Sequence, residues 1–175
     1  MKIFKEEQYI TKIWLLIGFI LGLSIVLIPL INKWELALEG DFFENISILL
    51  GVFVVIGTFL VLNFIHLKTR IDEKGIHYQF IPFHFSTKLI SWETISECYL
   101  RKYDPIFEYG GWGLKFSFRI KRGKCFTVKG NQGLQLSLKN GKKILIGTQK
   151  QELIQLTLNN YHYKMNKNHL KQSNF

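Results

Sequence analysis

The chain has 175 residues, 47% hydrophobic and 21% charged, with 23 Lys and Arg against 13 Asp and Glu for a net charge of +10. That length excludes a large multidomain enzyme; the basic balance, with a pI near 9.6, excludes an acidic disordered chain and favours an anionic partner. A mean hydropathy of +0.09 in so basic a chain requires apolar and charged residues to occupy different segments.

Residues 1–12 read as an N-terminal flank with Lys2, Lys5 and Lys12. Two uncharged runs follow, Ile13–Asn32 of 20 residues and Asn45–Leu67 of 23. A helix needs about 20 mostly apolar residues to cross a bilayer, so the runs predict transmembrane helices over 13–32 and 46–67, joined by a short external loop over 33–45. Trp14 and Trp34 suit the two headgroup boundaries. A cleaved signal peptide fits less well: the first run is too long, Glu6 and Glu7 precede it, and Leu30–Trp34 offers no small-residue cleavage site.

The loop sets Lys33 against Glu35, Glu39, Asp41 and Glu44, whereas Lys68, Arg70 and Lys74 follow the second run. Cytoplasmic flanks collect Lys and Arg. The expectation is a multi-pass protein of the cell (inner) membrane with both termini cytoplasmic. Gly18 and Gly22 form a GxxxG, a spacing that lets helix backbones approach closely, within the hairpin or in a homo-oligomer. Asn63 and His66, at the end of the second run, make no proton relay.

From Lys68 onward, 19 Lys and Arg face 7 Asp and Glu, so the positive charge belongs to this part. Asp72–Gly75 reads as a tight turn, Ile76–Ile81 as a strand ended by Pro82, and Thr87–Ser91 and Ile95–Lys102 as strands joined by Trp92–Thr94. Leu114, Phe116, Phe118 and Ile120 alternate with Lys115, Ser117, Arg119 and Lys121, the clearest period of two in the chain. Arg122-Gly123 turns into Cys125–Val128. Asn140-Gly141 joins Leu134–Leu138 to Lys143–Gly147 as a hairpin. Ile154, Leu158, Tyr161 and Met165, with Leu153 beside them, predict an amphipathic helix capped by Thr148 and Gln151. The domain is expected over 68–165, with a frayed basic tail over 166–175.

About seven short antiparallel strands and a closing helix give the order of a pleckstrin-homology-like (PH-like) barrel or sandwich. Tyr103-Asp104-Pro105-Ile106, Glu108–Gly113, Lys129–Leu136 and Asn140–Lys150 together resemble a group of bacterial PH-like proteins that carry an N-terminal transmembrane hairpin. The resemblance implies the fold and topology and says little about activity. Phosphoinositide-binding PH domains set several Lys and Arg in the first strand-to-strand loop. Asp72–Gly75, taken as the corresponding turn, has two acids, so inositol-phosphate binding by that route is not expected.

Catalytic patterns are missing from the sequence. Cys98 and Cys125 form no C-x-x-C pair, His77 and His84 have no metal-ligand spacing, and no phosphate-binding glycine motif is present. Asp104 and Glu108 flank a Pro turn and are expected to bond backbone N–H groups. No enzyme, cofactor or metal is expected, and no nucleic acid, for want of a recognition helix or aromatic RNA-binding pattern. Two binding candidates remain. Lys115, Arg119 and Lys121, with Arg122 and Lys124 at the turn, read as a basic face. Trp112, among Gly110, Gly111 and Gly113, reads as a ligand groove or, in the favoured interpretation, as a core residue at a bend. The expected function is a membrane-tethered, non-catalytic module for a protein partner or anionic lipid headgroups. The alternative is a structural subunit of a membrane complex assembled through the hairpin.

Overall fold

The computed structural model describes residues 3–32, 42–116 and 123–171. The chain divides into two units, one formed by Met1–Tyr9 with His66–Phe175 and the other by Ile10–Ile65. By sequence the first unit carries +12 and the second −2.

In the Ile10–Ile65 unit, α1 (Lys12–Asn32) and α2 (Phe42–Phe64) lie side by side. Phe19 meets Phe59 at 4.3 Å between ring centroids, and a Cβ on Gly22 would stand 3.4 Å from Val55 and one on Gly51 3.3 Å from Val26. Partner numbers fall along α2 as they rise along α1, so the helices are antiparallel. Ser24 and Asn63 return their hydrogen bonds to Ile20 and Phe59 carbonyls of their own helices. Among the described residues, the stretch Ile46–Phe64 is long and apolar enough to cross a membrane by length and composition; the apolar stretch in α1 is the shorter Lys12–Ile28. One helix, rather than the expected two, meets that criterion.

The other unit is mainly β with a C-terminal helix. One sheet has the order β1-β2-β3-β4, all antiparallel, from β1 (Phe4–Tyr9), β2 (His66–Ile71), β3 (Gly75–Ile81) and β4 (Lys88–Ser91). Residues 1–12 are therefore no mere flank. Phe4 through Tyr9 form an edge strand paired with β2, and His66 belongs to that strand, not to the helix before it. The first strand-to-strand connection is Ile10–Ile65, and the Asp72–Gly75 turn is the second. The comparison drawn from that turn falls with it.

The second sheet runs β5-β8-β9-β7-β6, from β5 (Ile95–Lys102), β6 (Gly113–Phe116), β7 (Lys124–Thr127), β8 (Gln132–Leu138) and β9 (Lys143–Gly147). Nine described strands replace the expected seven. The pairing is not antiparallel throughout, because β7 lies parallel to β9, Lys124 opposite Ile144 and Phe126 opposite Ile146. The β8–β9 hairpin is as expected, with Gly141 at φ +79° and the Lys142 N–H bonded to Asn140 Oδ1 at 3.1 Å. Gly123, at φ +75°, passes so close to the Lys143 carbonyl that no Cβ fits.

The core lies between the sheets. Phe126 of β7 meets Tyr78 and Phe80 of β3 at 4.9 and 6.3 Å between centroids, with Leu67, Ile71, Ile76, Leu134 and Ile146 buried around them. Helix α4 (Gln151–Lys171) buries Ile154, Leu158 and Tyr161, the last stacked on Trp92 at 5.5 Å. Leu153 is exposed instead of buried, since it is 100° around the helix from Ile154. The helix runs to Lys171, beyond the expected end at Met165. No Thr148–Gln151 capping box forms: the Thr148 N–H bonds to the Gln132 carbonyl at 2.9 Å, and its hydroxyl accepts from Lys150 N–H at 3.0 Å.

That hydroxyl also donates to Glu6. Glu6 Oε2 accepts from Thr148 Oγ1 at 2.7 Å and Oε1 from the Gln149 N–H at 2.8 Å, while Gln8 Nε2 donates to the Gly147 carbonyl at 2.7 Å. Two polar residues of β1 thus fasten it to the β9–α4 junction. Glu6→Ala leaves two donors unmet and is expected to cost about 3 kcal/mol, with Glu6→Gln costing less. Denaturation of the full-length chain in detergent, followed by near-UV circular dichroism, checks both.

Candidate functional site

Of the predicted basic face and its turn, two residues are described, Lys115 on β6 and Lys124 on β7. Lys115 lies opposite Cys125, and Lys124 lies opposite Phe116 one position along, so the two lysines leave opposite faces of the β6–β7 hairpin. Arg119, Lys121 and Arg122 lie outside the described residues. Trp112 is 48% exposed, not in the core, and its Nε1 donates to the Gly130 carbonyl at 2.7 Å. The glycines do make the bend: Gly110, Gly111 and Gly113 all have positive φ, and Gly110 ends a short helix, α3 (Pro105–Tyr109), in the left-handed region.

Asp104 caps that helix, accepting from the Ile106 and Phe107 N–H groups at 2.9 Å each, in line with the backbone-bonding expectation. Glu108 makes a two-pronged pair with Arg101 at 3.2 and 2.9 Å, and Arg101 Nε reaches Gln135 Oε1 at 3.0 Å. Below lie Tyr103, Tyr109, Cys125 and Leu145, all buried. Burial pushes the Cys98 and Cys125 thiols up to about 12, so neither is a thiolate nucleophile near neutral pH. The arrangement is a packed support for α3.

A different surface gathers charge. Along β1, β2 and β3 the inward side chains Phe4, Glu6, Leu67, Thr69, Ile71, Ile76, Tyr78 and Phe80 are buried, so the intervening residues form an outer face. There Lys5 lies opposite Arg70, and Arg70 opposite His77; in the next row Glu7 lies opposite Lys68 and Lys68 opposite Gln79. Neighbouring strands are about 4.8 Å apart, so three cationic side chains, with His77, lie within a few such steps. They line a shallow depression of about 440 Å³ with Glu7 and Thr87.

Lys68 pairs with Glu7 at 3.4 Å, and Asp72 holds Arg70 at 3.0 Å and His77 at 3.1 Å. Lys5 has no ion-pair partner among the described residues. Burial works to raise the Asp72 pKa, but the Lys74 N–H, His77 and Arg70 together outweigh it and hold the carboxyl below its usual range. The Asp72 carbonyl accepts from Trp92 Nε1 at 2.9 Å, tying the turn to the core. This fixed carboxylate positions Arg70 and His77; the site has the chemistry to hold an anion at a surface.

Reasoning from sequence missed Lys5, Arg70 and His77 as a set because the segment Phe4–Tyr9 does not look like a strand. Two of its three inward residues, Glu6 and Gln8, are polar, so the period-two hydrophobic signal is absent. Family models, curated proteins and solved structures give no match to the chain.

Since the folded-state pKa of Asp72 is depressed, its contribution to stability is present above the unfolded value near 3.8 and is lost as pH falls through the lower folded value. Asp72→Asn is therefore expected to flatten the decline of thermal stability below about pH 4. Melting temperatures of both proteins from pH 6 to pH 2.5 check this.

Proposed function

We propose that this protein is a non-catalytic, membrane-tethered binding module: α1 and α2 cross the bilayer as a hairpin, and a PH-like domain on the cytoplasmic side holds an anionic phospholipid headgroup on the outer face of β1–β3. The observation carrying this reading is the pairing of β1 with β2. Neighbouring strands of one sheet lie on the same side of any membrane, so the segment between them crosses an even number of times. If α2 spans the bilayer, α1 must span it too. Ile25, Leu49 and Phe53 are 69–75% exposed on the paired helices, an apolar surface suited to lipid.

The cytoplasmic assignment is supported by the flanks: Lys2, Lys5 and Lys12 precede α1 and Lys68, Arg70 and Lys74 follow α2, against Lys33 alone in the segment between them. The four-stranded antiparallel sheet, the antiparallel β5-β8-β9 set and the closing helix support the PH-like reading; β6 and β7, the latter parallel to β9, are additional to it. The same pairing sets Lys5 of β1 beside Arg70 of β2. Each cation near an anionic leaflet is worth about 1 kcal/mol; Lys68 and Arg70 share their charge with Glu7 and Asp72, so Lys5 gives the set its excess and its preference for charged over neutral lipid in a domain the hairpin already holds in place.

Wild-type protein in a mild detergent extract is expected to retain phosphatidylglycerol in native mass spectra, and Lys5→Glu/Arg70→Gln to lose most of it. Both proteins should stay with carbonate-washed membranes. Equal lipid retention overturns the headgroup reading, and release by carbonate overturns the membrane reading.

A second reading, a structural subunit assembled through the hairpin, has one observation in its favour. Gly22 is used against Val55, but a Cβ on Gly18 would meet nothing within 4 Å, and Gly18 lines an apolar groove of about 260 Å³ with Trp14, Phe19, Phe59 and Leu62. A neighbouring helix would fit there. On that reading Gly18→Ile disperses the complex on native gels; an unchanged complex counts against it.

A further inference from the structure

The turn between β3 and β4, Pro82–Thr87, carries two outward phenylalanines, with Phe83 58% and Phe85 99% exposed. Such exposure is costly in water and calls for an occupant. The turn is well held. Phe80 N–H donates to His84 Nδ1 at 3.2 Å and the His84 N–H returns to the Phe80 carbonyl at 2.8 Å. Gln79 Nε2 reaches the His84 and Phe85 carbonyls at 3.0 and 3.4 Å, and Thr87 Oγ1 donates to Gln79 Oε1 at 3.3 Å. His84 packs its ring on Tyr78 and Phe126 on the inward side; Phe83 stacks one face on Phe80 at 5.9 Å and leaves the rest of its ring exposed, while Phe85 stands clear of the domain.

The register says at which end of the sheet this turn sits. Tyr9 is opposite His66, and His66 is opposite Ile81. Tyr9 is where the chain leaves the sheet for α1, His66 is where it returns from α2, and Ile81 leads directly into Pro82. The turn therefore shares the sheet end from which the hairpin departs. Asp72–Gly75, opening β3, is at the other end, about 20 Å away for strands of this length. Beside the turn, Lys88 is exposed and Tyr9 is half-exposed, stacked on His66 at 5.2 Å. Aromatic side chains with flanking cations favour the boundary between headgroups and acyl chains.

We infer that the β3–β4 turn is a membrane-insertion loop: Phe83 and Phe85 enter the interfacial layer of the bilayer that holds the hairpin, giving the domain a third attachment and fixing its tilt. This rests on the membrane reading above. The occupant is phospholipid, because the hairpin that leaves this end of the sheet brings a bilayer surface to it.

The test uses full-length protein in nanodiscs of phosphatidylcholine and phosphatidylglycerol that contain a lipid with a nitroxide at headgroup depth. Replacing Cys98 and Cys125, the two cysteines of the chain, by Ser leaves an introduced cysteine as the labelled site. A fluorophore on Ser86→Cys is expected to be quenched several-fold more than one on Glu73→Cys, and Phe83→Ser/Phe85→Ser should abolish the difference. A probe on Phe53→Cys in α2, with a nitroxide deeper in the acyl chains, reports the hairpin. If Phe53 is quenched while Ser86 matches Glu73, or ignores the Phe substitutions, the insertion loop is overturned and the membrane reading survives. If Phe53 is not quenched either, both fall.

Discussion

The pairing of β1 with β2 is the constraint on which the rest of the molecule depends. It joins two strands separated by the whole of Ile10–Ile65, and so makes one domain from the two ends of an apolar insertion. Backbone ladder bonds alone would leave a six-residue edge strand marginal. Glu6 and Gln8 add side-chain bonds to Thr148, Gln149 and Gly147, at the junction where the last strand passes into α4. The first strand, the last strand and the closing helix are thereby fastened at one place.

That fastening uses polar chemistry in a buried location. Gln8 Oε1 and Thr69 Oγ1 have no hydrogen-bond partner among the described residues, so the strip beneath β1 is satisfied only in part. An apolar residue at position 6 would bury more hydrocarbon but would choose no particular partner. A carboxylate answered by one hydroxyl and one N–H accepts a single register, and register decides whether Lys5 lies beside Arg70 or turns inward.

Much of the mainly β unit was legible from residues in sequence. Ile76, Tyr78 and Phe80 alternate as a half-buried strand must, Asn140-Gly141 marks its hairpin, and Ile154, Leu158 and Tyr161 repeat at helical spacing. What escaped had no local signature. The direction of β7 against β9 is a choice between partners distant in the chain, and nothing in Lys124–Thr127 records it. Trp112 reads from sequence as a core residue at a glycine bend; the bend forms, but the indole N–H bonds to the Gly130 carbonyl at the surface. The charged depression was hidden for the same reason as β1: a strand whose inner face is polar carries the hydrophobic pattern of a loop. Of the expected basic face, Lys115 and Lys124 are described, and a period of two within one strand did not reveal on which side its hairpin partner would place Lys124.

The Glu6–Thr148 bond spans 142 positions of sequence, and this has a consequence for how the chain is made. Synthesis delivers Glu6 142 positions ahead of the hydroxyl that secures it, so the fastening of β1 waits until the ribosome has passed Thr148. Until β2 emerges β1 is a nascent strand with unpaired backbone groups beside an apolar hairpin, a setting in which hydrophobic edges adhere to one another. Its composition suits the wait: Lys5, Glu6, Glu7 and Gln8 keep it soluble and unattractive to other chains until its own partner appears. The polarity that weakens it as an isolated strand is what allows it to arrive early.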